Sequence, residues 1–230
     1  MNNEEYNNII RLAAKRLGYF QDLGVRRVPF SMPVEVATPT TPSTPDKDTK
    51  LAALQASFKG CELCDEPLKK AHVVMGEGAP SEAKGASVVF VVATPTVATY
   101  SGGSLMQSRD MDLLGRIIRA MKLEPDEVYI TSIVKCVSPS GRPPQREDIK
   151  KCLPHFNEEL KLLAPKVIVA LGSKSADMII SSHGAPKYKT HYRGVKTVTV
   201  VHPSDMNRNP ELKAEAWKVL QGVMEFLVKA

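Results

Sequence analysis

Long hydrophobic runs are missing from this sequence. No apolar stretch reaches the roughly 18 residues that a membrane-spanning helix needs, and the first residues lack the basic, then apolar, then small-residue order of a secretory signal. A cytoplasmic protein is the expectation. No internal repeat is present either, so a solenoid or propeller array is excluded. Cysteine is scarce, with four in 230 residues. What the chain does have is an ordinary globular composition, 43% hydrophobic and 24% charged, which predicts one main domain around one sizeable core.

Charge is unevenly placed. Residues 131–230 hold 16 Lys/Arg against 9 Asp/Glu, whereas residues 1–130 hold 15 against 16, so the net charge of +6 belongs to the second half. A phosphate-facing surface produces such asymmetry. A mild excess alone is weak, since many basic proteins never meet nucleic acid.

Three segments follow along the chain. In residues 1–36, Tyr6, Ile9, Ile10, Ala13, Leu17 and Phe20 recur at helical spacing and predict an amphipathic helix over 3–23. Its apolar face must dock, either on the protein's own core or on a partner protein. Residues 37–50 are rich in Thr, Pro and Ser and read as a linker. Residues 51–230 then alternate strand and helix. Apolar, β-branched runs at 87–93, 128–134, 167–172 and 197–201 predict strands, and helical patterns fall at 110–122, 146–163 and 173–182, with a last helix after Pro210. Strands so short and evenly apolar are buried on both faces, which predicts an α/β domain with a central parallel four-stranded sheet flanked by helices. Ligands of such sheets bind at the carboxyl ends of the strands. Attention therefore falls on Thr94-Pro95-Thr96, Lys135-Cys136, Ser173 and His202-Pro203-Ser204.

All four cysteines follow the linker: Cys61-x-x-Cys64, then 71 residues, Cys136, 15 residues, and Cys152. In a cytoplasmic chain a close pair with two more cysteines points to metal rather than disulfides. The alternative, four buried cysteines acting as small hydrophobes, is weakened because Cys61 and Cys64 lie in a polar, turn-like stretch without apolar periodicity. Zinc and a [4Fe–4S] cluster both accept four thiolates. The second pair is spread across a loop and a helix, which suits the larger cofactor.

The motifs Cys61-x-x-Cys64, Val73-Val74-Met75-Gly76-Glu77-Gly78, Tyr129-Ile130-Thr131-Ser132-Ile133-Val134-Lys135-Cys136, Cys152, Pro165-Lys166-Val167-Ile168-Val169-Ala170-Leu171-Gly172 and His202-Pro203-Ser204 stand in a recognisable order. From about residue 51 to 230 the chain resembles the iron–sulfur, family 4-like uracil-DNA glycosylases. The resemblance implies a structural [4Fe–4S] cluster on Cys61, Cys64, Cys136 and Cys152, close to the DNA-binding surface. It also implies DNA repair by hydrolysis of the N-glycosidic bond of a base flipped out of the stack. His202 corresponds to the histidine that meets the negative charge growing on the departing base. Without the resemblance, a histidine capping a strand end would be the plainer reading.

This chain also departs from the family. The first motif, Gly-Glu-Ala/Pro-Pro-Gly, aligns with Val92-Ala93-Thr94-Pro95-Thr96, where only the proline survives and Ala93 replaces the acid. The uracil-reading Asn falls on Ser132, and the aromatic that stacks on the base falls near Leu105 or Met106, with Tyr100 as a substitute stacking face. Water positioning passes to Thr94 or its neighbours, and base contact to Pro95, Ser132 and Tyr100. Glu77 is expected in a turn and does not repair the first motif. DNA contacts are expected from Lys135, Arg142, Ser204, Asn207 and Arg208, with Lys174 better read as solvated charge, and the 202–208 loop is the expected wedge through Met206. A monomer is expected. The functions in competition are a glycosylase of reduced or shifted specificity, a non-catalytic iron–sulfur relative that recognises single strands or lesions, and a cluster-carrying partner protein.

Overall fold

The computed structural model describes residues 47–58, 61, 63–64, 72–78, 86–96, 104–137, 142–181 and 191–229. The helix expected over 3–23, the Thr/Pro-rich residues before 47, and Tyr100 lie outside them.

Runs of Val, Ile and Phe with no polar break form strands buried along their whole length. These are β2 (Val88–Val92) and β5 (Val167–Leu171), with β3 (Val128–Ser132) between them in sequence. β7 (Val195–Val200) completes a parallel set, with β2 pairing to β3 and β5, and β5 pairing to β7. The sheet has five strands, not four. β6 (His191–Tyr192) pairs antiparallel with β7 across Arg193-Gly194, giving the order β3-β2-β5-β7-β6. Arg193 and Gly194 both have positive φ, 49° and 87°, which matches the twist of a two-residue hairpin. A second, two-stranded sheet joins β1 (His72–Val73) to β4 (Cys136–Val137).

Alternation along the strands builds a core on each face. Val88, Phe90 and Val92 point with Ile130, Val169 and Leu171 toward α2 (Ser108–Ala120) and α6 (Leu212–Lys229), which contribute Leu113, Leu114, Ile118, Leu220 and Val223. Val89, Val91, Tyr129, Ile168 and Ala170 point the other way, toward α3 (Arg146–Leu163) and α4 (Ser173–Ser181), which contribute Phe156, Leu160, Leu163, Ala176 and Ile179. Full burial of each such side chain contributes roughly 1.5–3 kcal/mol. α3 starts at a reciprocal Gln145–Asp148 capping box and ends at Ala164, whose φ of 45° turns the chain into Pro165. α1 (Lys47–Phe58) begins inside the stretch read as linker and buries Leu51 and Phe58, with α3 as its neighbour. A short helix α5 (Pro203–Arg208) follows β7.

Candidate functional site

Because β2, β3, β5 and β7 are parallel, their carboxyl ends share one edge of the sheet. The exits of β2 and β3 run side by side: Ile133 N–H donates to the Val92 carbonyl and Val134 N–H to the Ala93 carbonyl, each at 3.0 Å. Thr94 donates its hydroxyl to the Cys136 carbonyl at 3.3 Å, and Pro95 is buried beside it. Ser132 ends β3. Its Oγ is the one buried side-chain polar atom without a hydrogen-bond partner among the described residues.

His202 is the N-cap of α5. Its Nδ1 accepts the Ser204 N–H at 3.1 Å, and the Ser204 hydroxyl lies 2.8 Å from the same nitrogen. An accepting Nδ1 carries no proton, so the neutral ring bears its hydrogen on Nε2. Burial holds the ring pKa below its ordinary 6.5; Asp110 and Asp205 oppose that shift and Arg208 adds to it. Gly172, at φ 84° after β5, makes room for this residue, since a Cβ there would stand 3.2 Å from the His202 Cβ.

Around this edge several expectations change. Leu105 and Met106, which stand where the family's aromatic is replaced, are fully buried core residues. Met206 is likewise in the core, at 1% exposure, so it is no wedge. Glu77 is not in a turn. It bridges to Ile130, donating and accepting backbone bonds at 2.8 Å, and its carboxylate accepts from the Ser104 hydroxyl and the Leu105 N–H. Asn207 donates to Asp110 Oδ1 at 2.8 Å and so ties α5 to α2. Arg208 is exposed and pairs with Asp205. Arg142 pairs with Asp148 at 2.8 Å while keeping part of its surface open. Burial pushes the Asp148 carboxyl up, but Arg142, the Gln145 N–H and Lys151 outweigh it and hold it below the usual carboxylate range.

Lys135 is corrected outright. Its side chain is 2% exposed and turns inward, where Nζ meets Thr131 Oγ1 at 2.6 Å and Glu159 Oε2 at 2.5 Å. Tyr129 donates to the other Glu159 oxygen and accepts from Gln55. A phosphate has no access to this ammonium.

The four cysteines line one pocket, together with Phe58, Leu63, Val73, Val134, Lys151 and His155. The β1–β4 pairing sets Val73 opposite Cys136, α3 carries Cys152, and Cys61 continues from α1 through its N–H to the Phe58 carbonyl. Burial pushes the Cys136 thiol up to about 12, with Cys152, Cys64 and Cys61 adding to it. The Cys152 thiol rises to about 11 through burial, eased by the Lys135 N–H and charge and raised again by Cys64 and Cys61. These raised values describe neutral thiols, and each cysteine's charged form would be opposed by the others nearby. Among the described residues, no group of three or more His, Cys, Asp and Glu side chains is arranged to hold a metal ion.

His155 was not foreseen. Its Nε2 lies 3.5 Å from Cys61 Sγ and its ring centroid 4.6 Å from that of Phe58. Burial, then the Lys135 charge, holds its pKa below the ordinary value. The available signal was its place on α3, three residues after Cys152 and therefore on the same helix face.

A parallel-sheet α/β protein with a histidine and an orphaned hydroxyl at one strand edge, and a four-thiol pocket one short loop away, defines a narrow class. The profile of the uracil DNA glycosylase superfamily matches residues 72–221. The type-4 uracil-DNA glycosylase of Pyrobaculum aerophilum is 29% identical over 182 residues, 74% of this chain and 91% of that protein. Those of Sulfurisphaera tokodaii (28% over 176 residues, 71% of this chain and 78% of that protein) and Archaeoglobus fulgidus (29% over 167 residues, 67% and 82%) are similar as well. The chain belongs to the uracil DNA glycosylase superfamily.

Proposed function

We propose that this protein is a DNA glycosylase that hydrolyses the N-glycosidic bond of a flipped uracil or other deaminated base, more slowly than relatives with an intact first motif. The observation that carries the reading is the fixed tautomer of His202. Its Nδ1 is occupied by Ser204, and burial favours the neutral ring, so Nε2–H is a ready donor for the negative charge that develops on the base as the bond breaks. The orphaned Ser132 hydroxyl supplies one contact to the base edge, where an amide would supply two. Thr94 lies beside Ala93, which has no carboxylate, and its hydroxyl oxygen retains lone pairs to hold a water. Pro95 and Tyr100 are assigned to the base pocket. Ser204, Asn207, Arg208 and Arg142 face the DNA backbone, with Arg208 and Arg142 exchanging their acidic partners for phosphate.

Cys61, Cys64, Cys136 and Cys152 hold a [4Fe–4S] cluster in this reading, in preference to zinc, because four sulfurs brought to one pocket from the loop after α1, from β4 and from α3 suit a larger group than two close pairs would. When bound, the cluster cross-links α1, β4 and α3. The protein works in the cytoplasm as a monomer.

The test is a gel assay on oligonucleotides carrying uracil, hypoxanthine or xanthine. Slow excision that His202→Ala lowers by about 10²-fold or more supports the reading. Ala93→Glu with Ser132→Asn is expected to raise uracil excision if the cluster is kept. A second reading, a DNA-binding relative without catalysis, is favoured by Ala93 and by the burial of Leu105 and Met106. Binding without base release by either the native chain or the double variant would establish it.

A further inference from the structure

We infer that His155 is a positioning residue for the thiol centre, donating its Nε2–H to the Cys61 sulfur and thereby setting the reduction potential and the lifetime of the cluster. The inference rests on the cluster reading above and adds to it a residue that is not a ligand.

The geometry has three parts. His155 Nε2 stands 3.5 Å from Cys61 Sγ, within hydrogen-bonding range for sulfur. Its ring is tilted 59° against Phe58, at 4.6 Å, and Phe58 is 1% exposed, so the imidazole is held against the end of α1 and has little freedom to swing away. And α3 places His155 three residues after Cys152, so one helix face carries both a ligand and the group that touches another ligand.

Chemistry fixes the direction of the bond. A cysteine bound to iron has lost its proton and can only accept. The nitrogen that faces it therefore carries the hydrogen. Hydrogen bonds to cluster sulfurs stabilise the more negative, reduced state, and outer-shell partners of this kind hold a ligand in place. Of the four sulfurs, Cys152 receives a backbone donor, the Lys135 N–H at 3.3 Å, which no side-chain replacement removes. Cys61 receives a side-chain donor. A single substitution can therefore alter its environment.

The experiment compares His155→Phe, which keeps an aromatic ring against Phe58 but has no donor, with His155→Gln, which keeps a donor and loses the ring. His155→Leu replaces the first if it does not accumulate. Each protein is purified anaerobically, its iron is counted, and two quantities are read: the midpoint potential in a titration followed by electron paramagnetic resonance, and the decay of the visible absorbance in air. Loss of the donor is expected to lower the reduced-to-oxidised ratio at fixed potential about tenfold, about 59 mV for one electron, and to shorten the decay several-fold, while His155→Gln stays near the native values. Native values in the donor-less variant together with loss of the cluster in His155→Gln would overturn the inference, because ring packing would then be the whole role. Native protein carrying zinc or no iron at all would remove the cluster reading itself, and the iron count reveals that before any variant is compared.

Discussion

His202 is set by three features at once: Ser204 takes its Nδ1, Gly172 leaves space for its Cβ, and partial burial of its ring disfavours the charged form. The pKa consequence has a definite sign. With the folded value depressed below 6.5, the unfolded chain takes up the proton first as the pH falls, so this residue's contribution to stability is intact above about pH 6.5 and is lost as the pH drops toward the folded value. Excision is therefore expected to hold its neutral-pH rate below pH 6.5, and the stability gap between the native chain and His202→Gln to narrow from pH 7.5 to 5. A pH–rate profile and urea melts at both pH values measure the two. A rate already halved at pH 6.5 would mean the ring titrates as if exposed. The residue was singled out through the family resemblance; from its own surroundings a capping histidine was the plainer reading, and it does cap α5. Lys135 was not legible. A lysine is read as surface charge by default, and the partner that draws it inside, Glu159, lies 24 positions away on another element.

At the scale of elements, that inward lysine fastens β3 and the loop after it to α3. Glu159 is fully buried and serves Lys135, Thr131 and Tyr129 together. Lys135→Met alone leaves the carboxylate without its counter-charge and is expected to cost about 3–5 kcal/mol, whereas Lys135→Met with Glu159→Leu should recover most of that loss. Chemical denaturation of the three proteins gives the comparison, and a double variant no better than the single would show that the hydrogen bonds, not the charges, dominate. α5 presents the opposite case, an exposed Arg208 held only by Asp205 one turn away. Arg208→Ala is expected to weaken binding to all DNA sequences alike and to flatten the plot of log affinity against log salt by about one unit. An unchanged slope takes Arg208 out of the interface. β2 and β5 were readable because each is a continuous apolar run, and β3 and β7 because β-branched residues dominate them despite polar positions. β6 was not, since its two residues have no periodicity of their own and exist as a strand only through the Arg193-Gly194 turn and its pairing with β7. Met206 was misplaced for a related reason: an apolar side chain after a strand looks the same in sequence whether it meets a base or the core.

For the whole molecule, the described domain starts at α1, whose Leu51 and Phe58 belong to the interior. Removal of residues 1–46 is expected to leave a folded, cluster-bearing protein, while a cut that also takes α1 should lose both the cluster and solubility. Iron content and thermal melting of the two truncations distinguish these outcomes, and loss of fold in the shorter deletion would place the 6–20 apolar face within the core. A further consequence concerns how such a protein can diverge. Ser132, at the end of β3, and Cys136, at the thiol pocket, are joined by three residues, and the segment is stitched to the β2 exit by the Ile133, Val134 and Thr94 hydrogen bonds. That segment acts as a fixed ruler between two chemistries. Substitution on either side of it, as at Ala93 or Ser132, changes the pocket and leaves the thiols where they are. An inserted or deleted residue within it would shift Ser132 and Cys136 relative to one another and break the register of the Ile133 and Val134 bonds, so the segment tolerates exchange of side chains better than change of length.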